Sequence, residues 1–165
     1  MKKCLSIMIL VLVMMLVSIP CFAEITYNED SFDDTVNFSS KREIGDFRMF
    51  NLETVKSADK SVTKFFMVAI IKTEWYFLSG PLEMRIGNKI YELEQLGHLE
   101  KVTPSGSLAS IGSYYINEPM EDRIMLADSI VIRVPYSNQV STVLAIPPSV
   151  LKEWQEVLKV GPQRK

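Results

Sequence analysis

Between Lys64 and Lys72 the chain reads FFMVAII, residues 65–71, an unbroken apolar run with a lysine at each end. A run of this length, rich in branched and aromatic residues, fits a central β-strand buried on both faces. The flanking lysines act as gatekeepers against pairing outside its own sheet. The rest of the fold therefore has to supply neighbours for this strand and cover for its faces. Aromatic content continues through Trp75, Tyr76, Phe77 and Leu78, after a bulge expected near Thr73.

Downstream, LEMRIGNKIYEL at residues 82–93 is the clearest hairpin. Leu82, Met84 and Ile86 alternate with Glu83 and Arg85. Gly87-Asn88 supplies a two-residue turn with glycine first, which suits type II′ geometry. That turn sets Ile86 against Lys89, Met84 against Tyr91 and Leu82 against Leu93. It also sets Glu83 against Glu92, a mild cost that a diagonal Arg85 would relieve.

Residues 97–106 read as a turn-rich connection, and residues 108–117 as a strand ending in Tyr114, Tyr115 and Ile116. A helix start follows. Asn117 stands at the N-cap, Pro119 in the first turn, and Glu118, Glu121 and Asp122 near the positive end of the dipole. Residues 129–134 return to strand character with Ile130, Ile132 and Val134 on one face, and Pro135 marks the end or an edge. A last strand is expected over 141–146. After Pro147-Pro148, Val150, Leu151, Trp154, Val157 and Leu158 follow helical spacing, and Gly161-Pro162 stops the helix.

Upstream, residues 46–55 form a first strand in this reading, with Phe47, Met49 and Val55 as its apolar positions, and 56–60 a polar turn. Residues 24–40 are polar and acidic, and read as a flexible, exposed leader. Met1 to Ala23 has the order of a cleavable secretory signal. Lys2 and Lys3 form a positive start, an apolar stretch follows to Ile19, and Pro20 precedes the small residues Cys21 and Ala23, with the cut before Glu24. The alternatives are a retained membrane anchor, since the uncharged stretch just reaches spanning length, and lipidation at Cys21.

The expected division is thus 1–23 signal peptide, 24–40 leader, 41–161 a single domain and 162–165 a tail. The expected fold is α+β, a mainly antiparallel sheet with two helices packed on one side. The alternative is a β-sandwich with peripheral helices.

Function is bounded mostly by what is missing. Both cysteines, Cys4 and Cys21, lie in the signal segment, so the exported chain would have no thiol nucleophile, disulfide or thiolate metal site. Two of the 18 basic residues go with that segment, leaving 16 against 20 acidic ones. Such a mildly acidic chain without a basic run is a poor nucleic-acid binder. Membrane association is expected only if the signal is retained or Cys21 carries lipid.

His98 is the single histidine and reads as an exposed loop residue, with no G-x-S-x-G elbow to partner it. No phosphate-binding glycine loop is present. Glu92 and Glu94 are the best carboxylate pair, about 7 Å apart along one strand face, but alternate charges also mark a solvated face. Glu118, Glu121 and Asp122 lack calcium-loop spacing. Arg133 reads as the structural partner of an acid. No catalytic residue, cofactor or metal is assigned.

The aromatic pairs are the remaining candidates. On adjacent strand positions one ring faces the core and its neighbour the surface. Trp75, Tyr76, Tyr114 and Tyr115 are accordingly the expected partner-binding residues, unless helices cover both faces of the sheet. The expected function is a non-catalytic binding domain of a bacterial-type cell envelope or secreted fraction, with an envelope protein or component as partner. The alternatives are a cell-wall or polysaccharide hydrolase using Glu92 and Glu94, and a membrane-tethered structural protein.

Overall fold

The computed structural model describes residues 25–31, 35–57 and 61–159. The signal segment, its cut between Ala23 and Glu24, both cysteines and the Gly161-Pro162 stop lie outside these residues. The chain runs β1 (Ile25–Asp30), β2 (Thr35–Ile44), β3 (Phe47–Lys56), β4 (Val62–Lys72), β5 (Leu82–Ile86), β6 (Lys89–Leu93), β7 (Gln95–Val102), β8 (Leu108–Tyr115), α1 (Glu118–Met125), β9 (Ile130–Val134), β10 (Thr142–Ala145) and α2 (Pro148–Lys159). Every strand pairing is antiparallel. The α+β class with an antiparallel, sheet-rich core therefore holds.

The strands divide between two sheets. One has the order β1-β2-β3-β4-β8-β7, the other β10-β9-β5-β6. The chain crosses between them three times, from β4 to β5, at Glu94 from β6 to β7, and through α1 from β8 to β9. A single core joins them: Phe47, Phe50, Leu52, Phe66, Val68 and Ile70 of the larger sheet cluster with Leu82, Met84, Ile130, Ile132 and Val134 of the smaller.

Both helices pack on the same inner face of the larger sheet. Trp154 meets Phe66 edge-on at 4.9 Å, and Thr54 Oγ1 donates to the Val157 carbonyl at 3.3 Å. Helix α1 starts as its sequence requires, with Asn117 Oδ1 accepting from the Met120 N–H at 3.0 Å. Its C-terminal carbonyls are met from outside. Gln155 Nε2 on α2 reaches those of Ile124, Ala127 and Met125 at 3.1, 3.0 and 3.3 Å. That one amide ties the helices together and satisfies groups that an α-helix leaves orphaned.

The hairpin β5–β6 has the register that its turn demands, with Leu82 opposite Leu93, Met84 opposite Tyr91 and Ile86 opposite Lys89. Gly87 takes φ 57 while Asn88 does not have a positive φ, the combination of a type II′ turn. The Glu83–Glu92 pair is relieved from the other side. Arg133, directly opposite Glu83 on β9, reaches its carboxylate at 2.7 Å.

Four sequence expectations change. Residues 25–30 and 35–44 are not a free leader. They pair as β1 and β2, and Ser40 and Phe38 turn towards the core. The strand over 46–55 is the third, and its phase is shifted by a bulge between Phe47 and Met49. Phe47, Phe50 and Leu52 face the core, whereas Met49 and Val55 are carried to the other face with Asn51 and Glu53. Residues 95–102 form edge strand β7 rather than a turn; only Thr103–Ser107 turn, closed by Thr103 N–H to the Ser107 carbonyl at 2.8 Å. Finally, Trp75–Phe77 are irregular backbone, and Leu78 alone forms an isolated bridge, to Tyr136.

Candidate functional site

Strand β4 is central, as its apolar run requires, but its two faces differ. Phe66, Val68 and Ile70 are fully buried inward. Phe65, Met67 and Ile71 point the other way, and Ile71 is 41% exposed. Among the described residues both helices and the smaller sheet meet the inner face: α2 through Ser40, Thr54, Lys64 and Phe66, α1 through Lys64, and the smaller sheet through the core it shares with Phe50, Phe66 and Val68.

Register fixes what shares this outer face. Glu53 lies opposite Phe65, and Phe65 opposite Tyr115. Asn51 lies opposite Met67, with Ser113 beyond it. Ala69 is followed by Ile111 and then by Leu99 on edge strand β7. The result is an apolar field with a polar notch at its β2–β3 side.

The notch is Glu53 with Asn37 and Asn51. Glu53 is 8% exposed and Asn51 5%. Asn37 Nδ2 donates to Glu53 Oε1, and Asn51 Nδ2 to Glu53 Oε2 at 3.1 Å. The other end of each amide, Asn37 Oδ1 and Asn51 Oδ1, is buried without a hydrogen-bond partner. No basic group makes an ion pair with Glu53 among the described residues. Burial pushes the Glu53 carboxyl above the ordinary glutamate range, and the two amide donors pull it partly back.

The four expected aromatics do not form one site. Tyr114 is fully buried on the inner side and offers a partner nothing. Its ring packs over Gly112, and its hydroxyl, without a hydrogen-bond partner, is pushed up to about 12, chiefly by burial. Tyr115, the outward member of the pair, is 46% exposed on the open face. Trp75 and Tyr76 lie beyond the opposite end of β4. From Phe65 beside Tyr115 to Lys72 before Trp75 the strand rises roughly 23 Å.

Trp75 is the one described non-glycine residue in left-handed backbone, at φ 50. Asn138 holds the segment there, donating from Nδ2 to the Trp75 carbonyl at 2.7 Å and accepting the Phe77 N–H at 3.1 Å. The indole N–H donates to the Gly106 carbonyl at 3.1 Å. Tyr76 packs edge-on against Tyr136 at 5.0 Å and is half-buried. The segment is a pinned corner of the fold, with one indole at the surface.

The remaining candidates fall elsewhere. His98 is exposed, but on strand β7 rather than in a loop. Glu92 is on β6 and Glu94 in the crossover; with Gly80, Pro81 and Gln95 they line an open hollow of 410 Å³ that contains no aromatic ring for a sugar to stack on. Glu121 is engaged by Lys64. The outer-face notch escaped the sequence reading. Its signal was faint: an Asn and a Glu two apart in a strand, with Leu52 between them.

The molecule is thus an antiparallel α+β domain whose larger sheet is covered on one side by described elements. No family model and no curated protein matches the chain. Among solved structures, invasion associated protein B from Bartonella henselae is similar, at 12% identity and a TM-score of 0.45, over 81% of this chain and 89% of that one. At that degree of likeness nothing about its role passes to this protein.

Proposed function

We propose that the protein is a non-catalytic binding domain that docks a protein partner on the open face of its larger sheet, after export to the envelope or secreted fraction. One observation carries the docking reading. A central strand with seven successive apolar residues is covered by described elements on one side only. Phe65, Met67, Ile111, Leu99, Ile71 and Tyr115 share the other side. Contiguous apolar surface of this kind marks interaction sites in soluble proteins, and an outward tyrosine is a frequent anchor. The export reading rests on the order of residues in Met1 to Ala23.

The test is site-specific photo-crosslinking in the native cell. A photoreactive residue at Tyr115 or Ile111 is expected to give one discrete adduct. The same residue at Val143, a more exposed apolar position on the smaller sheet, should give none. Equal labelling at all three positions, or none at any, would overturn the docking reading. Intact mass from separated cell fractions tests export. A soluble species beginning at Glu24 is expected, and a membrane species retaining Met1, or carrying lipid on Cys21, would instead make it a tethered scaffold.

A further inference from the structure

Strand β7 closes the larger sheet, and among the described residues it pairs with β8 alone. At eight residues it is the longest sheet edge among them, against six in β1, five in β6 and four in β10. Leu96, Leu99 and Val102 along it are each more than half exposed. We infer that this edge joins the same edge of a second copy, antiparallel about a two-fold axis, so that two larger sheets become one continuous sheet. The edge is distinct from the open face, and its pairing does not depend on the docking reading.

Backbone geometry fixes which groups the edge offers. The Thr103 N–H reaches the Ser107 carbonyl at 2.8 Å, which makes that pair a hydrogen-bonded one. Alternation back along the β7–β8 register then leaves Val102, Glu100 and His98 as the non-hydrogen-bonded positions, with N–H and C=O turned to the free edge. Pairing between two copies must bond these residues to one another. Sheet edges are commonly blunted by bulges, prolines or lysines. Here the bulge lies between Gln95 and Gly97, residues 97–102 stay regular, and none of them is proline.

Charge selects the register. With Leu99 on the axis, His98 of each copy faces Glu100 of the other, and Lys101 faces Gly97, which has no side chain to oppose it. The imidazole donates an N–H to the carboxylate in either ring form, and opposed groups of this kind favour a pairing. An axis at Glu100 would set two glutamates against each other, and one at Lys101 two lysines, both unfavourable. An axis at His98 would oppose the histidines and leave Glu100 with no basic residue opposite. The favoured axis also sets Leu99 against Leu99 on the outer face, with Ile111 behind each. An exposed leucine thereby gains an apolar neighbour.

Sedimentation equilibrium of the protein as purified from its native cell fraction, from micromolar to millimolar concentration, is the test, with amide hydrogen exchange in the same samples. A concentration-dependent dimer is expected. As it forms, the His98 and Glu100 amides should slow more than those of Leu99 and Lys101, which already bond to β8. His98→Glu opposes like charges at two symmetry-related places and should weaken the dimer about tenfold. Adding Glu100→Lys opposes unlike charges again and should restore it. Both positions are exposed, so neither change enters the core. A monomer at every concentration overturns the inference: fast exchange at His98 and Glu100 would leave the edge to another protein, and slow exchange would mean that a segment of this chain covers it. A dimer indifferent to His98→Glu, or one that the second substitution fails to restore, overturns it as well, because the contact then lies elsewhere.

Discussion

Two buried glutamates sit on opposite faces of the same sheet system, and they are treated differently. Glu153, on α2 against the inner face, is 2% exposed and receives Arg42 in a fork, Nε to Oε2 at 2.8 Å and Nη2 to Oε1 at 2.9 Å. Ser40 Oγ adds a third bond at 2.8 Å. Glu53, on β3 facing outward, receives two neutral amides and, among the described residues, no cation. Removing a carboxylate from water costs several kcal/mol, and only a well-placed counter-charge with further hydrogen bonds offsets it. The inner site is complete within the chain. The outer one has no counter-charge among the described residues. The contrast separates a carboxylate neutralised by a cation from one held by neutral donors.

Breaking the inner site should have the largest effect. Glu153→Leu removes the carboxylate that takes the fork from Arg42, whose side chain is 21% exposed, and removing one partner of a buried pair typically costs about 3–5 kcal/mol. Because Arg42 keeps some water, the lower end is expected, read from the urea midpoint at neutral pH.

A second test of inner-face completeness is Gly112→Ala. A Cβ at this position would lie 2.8 Å from Tyr114 Oη and 3.0 and 3.1 Å from two ring carbons. The tyrosine cannot give way without disturbing the core, so about 1–3 kcal/mol of destabilisation is expected, measured by thermal melting. Ser113→Ala, one residue along and outward, should leave the melt nearly unchanged.

At the outer site the sign reverses. Glu53→Gln should stabilise the free protein by about 1 kcal/mol at neutral pH, because a flipped Asn51 amide can accept from the new N–H group. The gain must depend on pH. The Glu53 carboxyl is raised in the folded protein above its ordinary value of 4.5, so the folded state holds that proton more tightly than the unfolded one. Its contribution to stability is therefore full below 4.5 and is lost as pH rises through the raised folded value. Lys41, across from Asn51, is the charged group nearest in register. Wild type and Glu53→Gln should converge in acid and separate towards neutrality. Parallel curves would mean that the notch is already neutralised.

The smallest effect is expected from Tyr114→Phe. Its hydroxyl is buried without a partner, so losing it should leave stability unchanged or raise it by up to about 1 kcal/mol in chemical denaturation. A clear loss would show that the hydroxyl has a partner in solution.

How much of this was legible depended on where the determining interactions lie. The 82–93 hairpin was readable to the residue pair, since a two-residue turn fixes register and alternation fixes the face. The C-terminal helix was readable as well: Val150, Leu151, Trp154, Val157 and Leu158 are all buried as their spacing implies. Strands β1, β2 and β7 were not. Their side chains are mostly polar or exposed, and they exist because a neighbouring strand offers backbone partners. The candidate site suffered most, since one bulge between Phe47 and Met49 decides which residues of β3 face outward.

By itself, then, the sequence determined the local periods: which segments alternate, which follow a helical stripe, where glycine must turn the chain, and that residues 65–71 need a central position. Only the tertiary structure decided that the strands divide into two sheets, that both helices go to one face, and that Asn37 meets Glu53 across 16 residues of chain. The reason is physical. Periodicity is written in neighbouring residues, whereas the side of a sheet that is covered, and the charge that stays unpaired, depend on packing between distant segments.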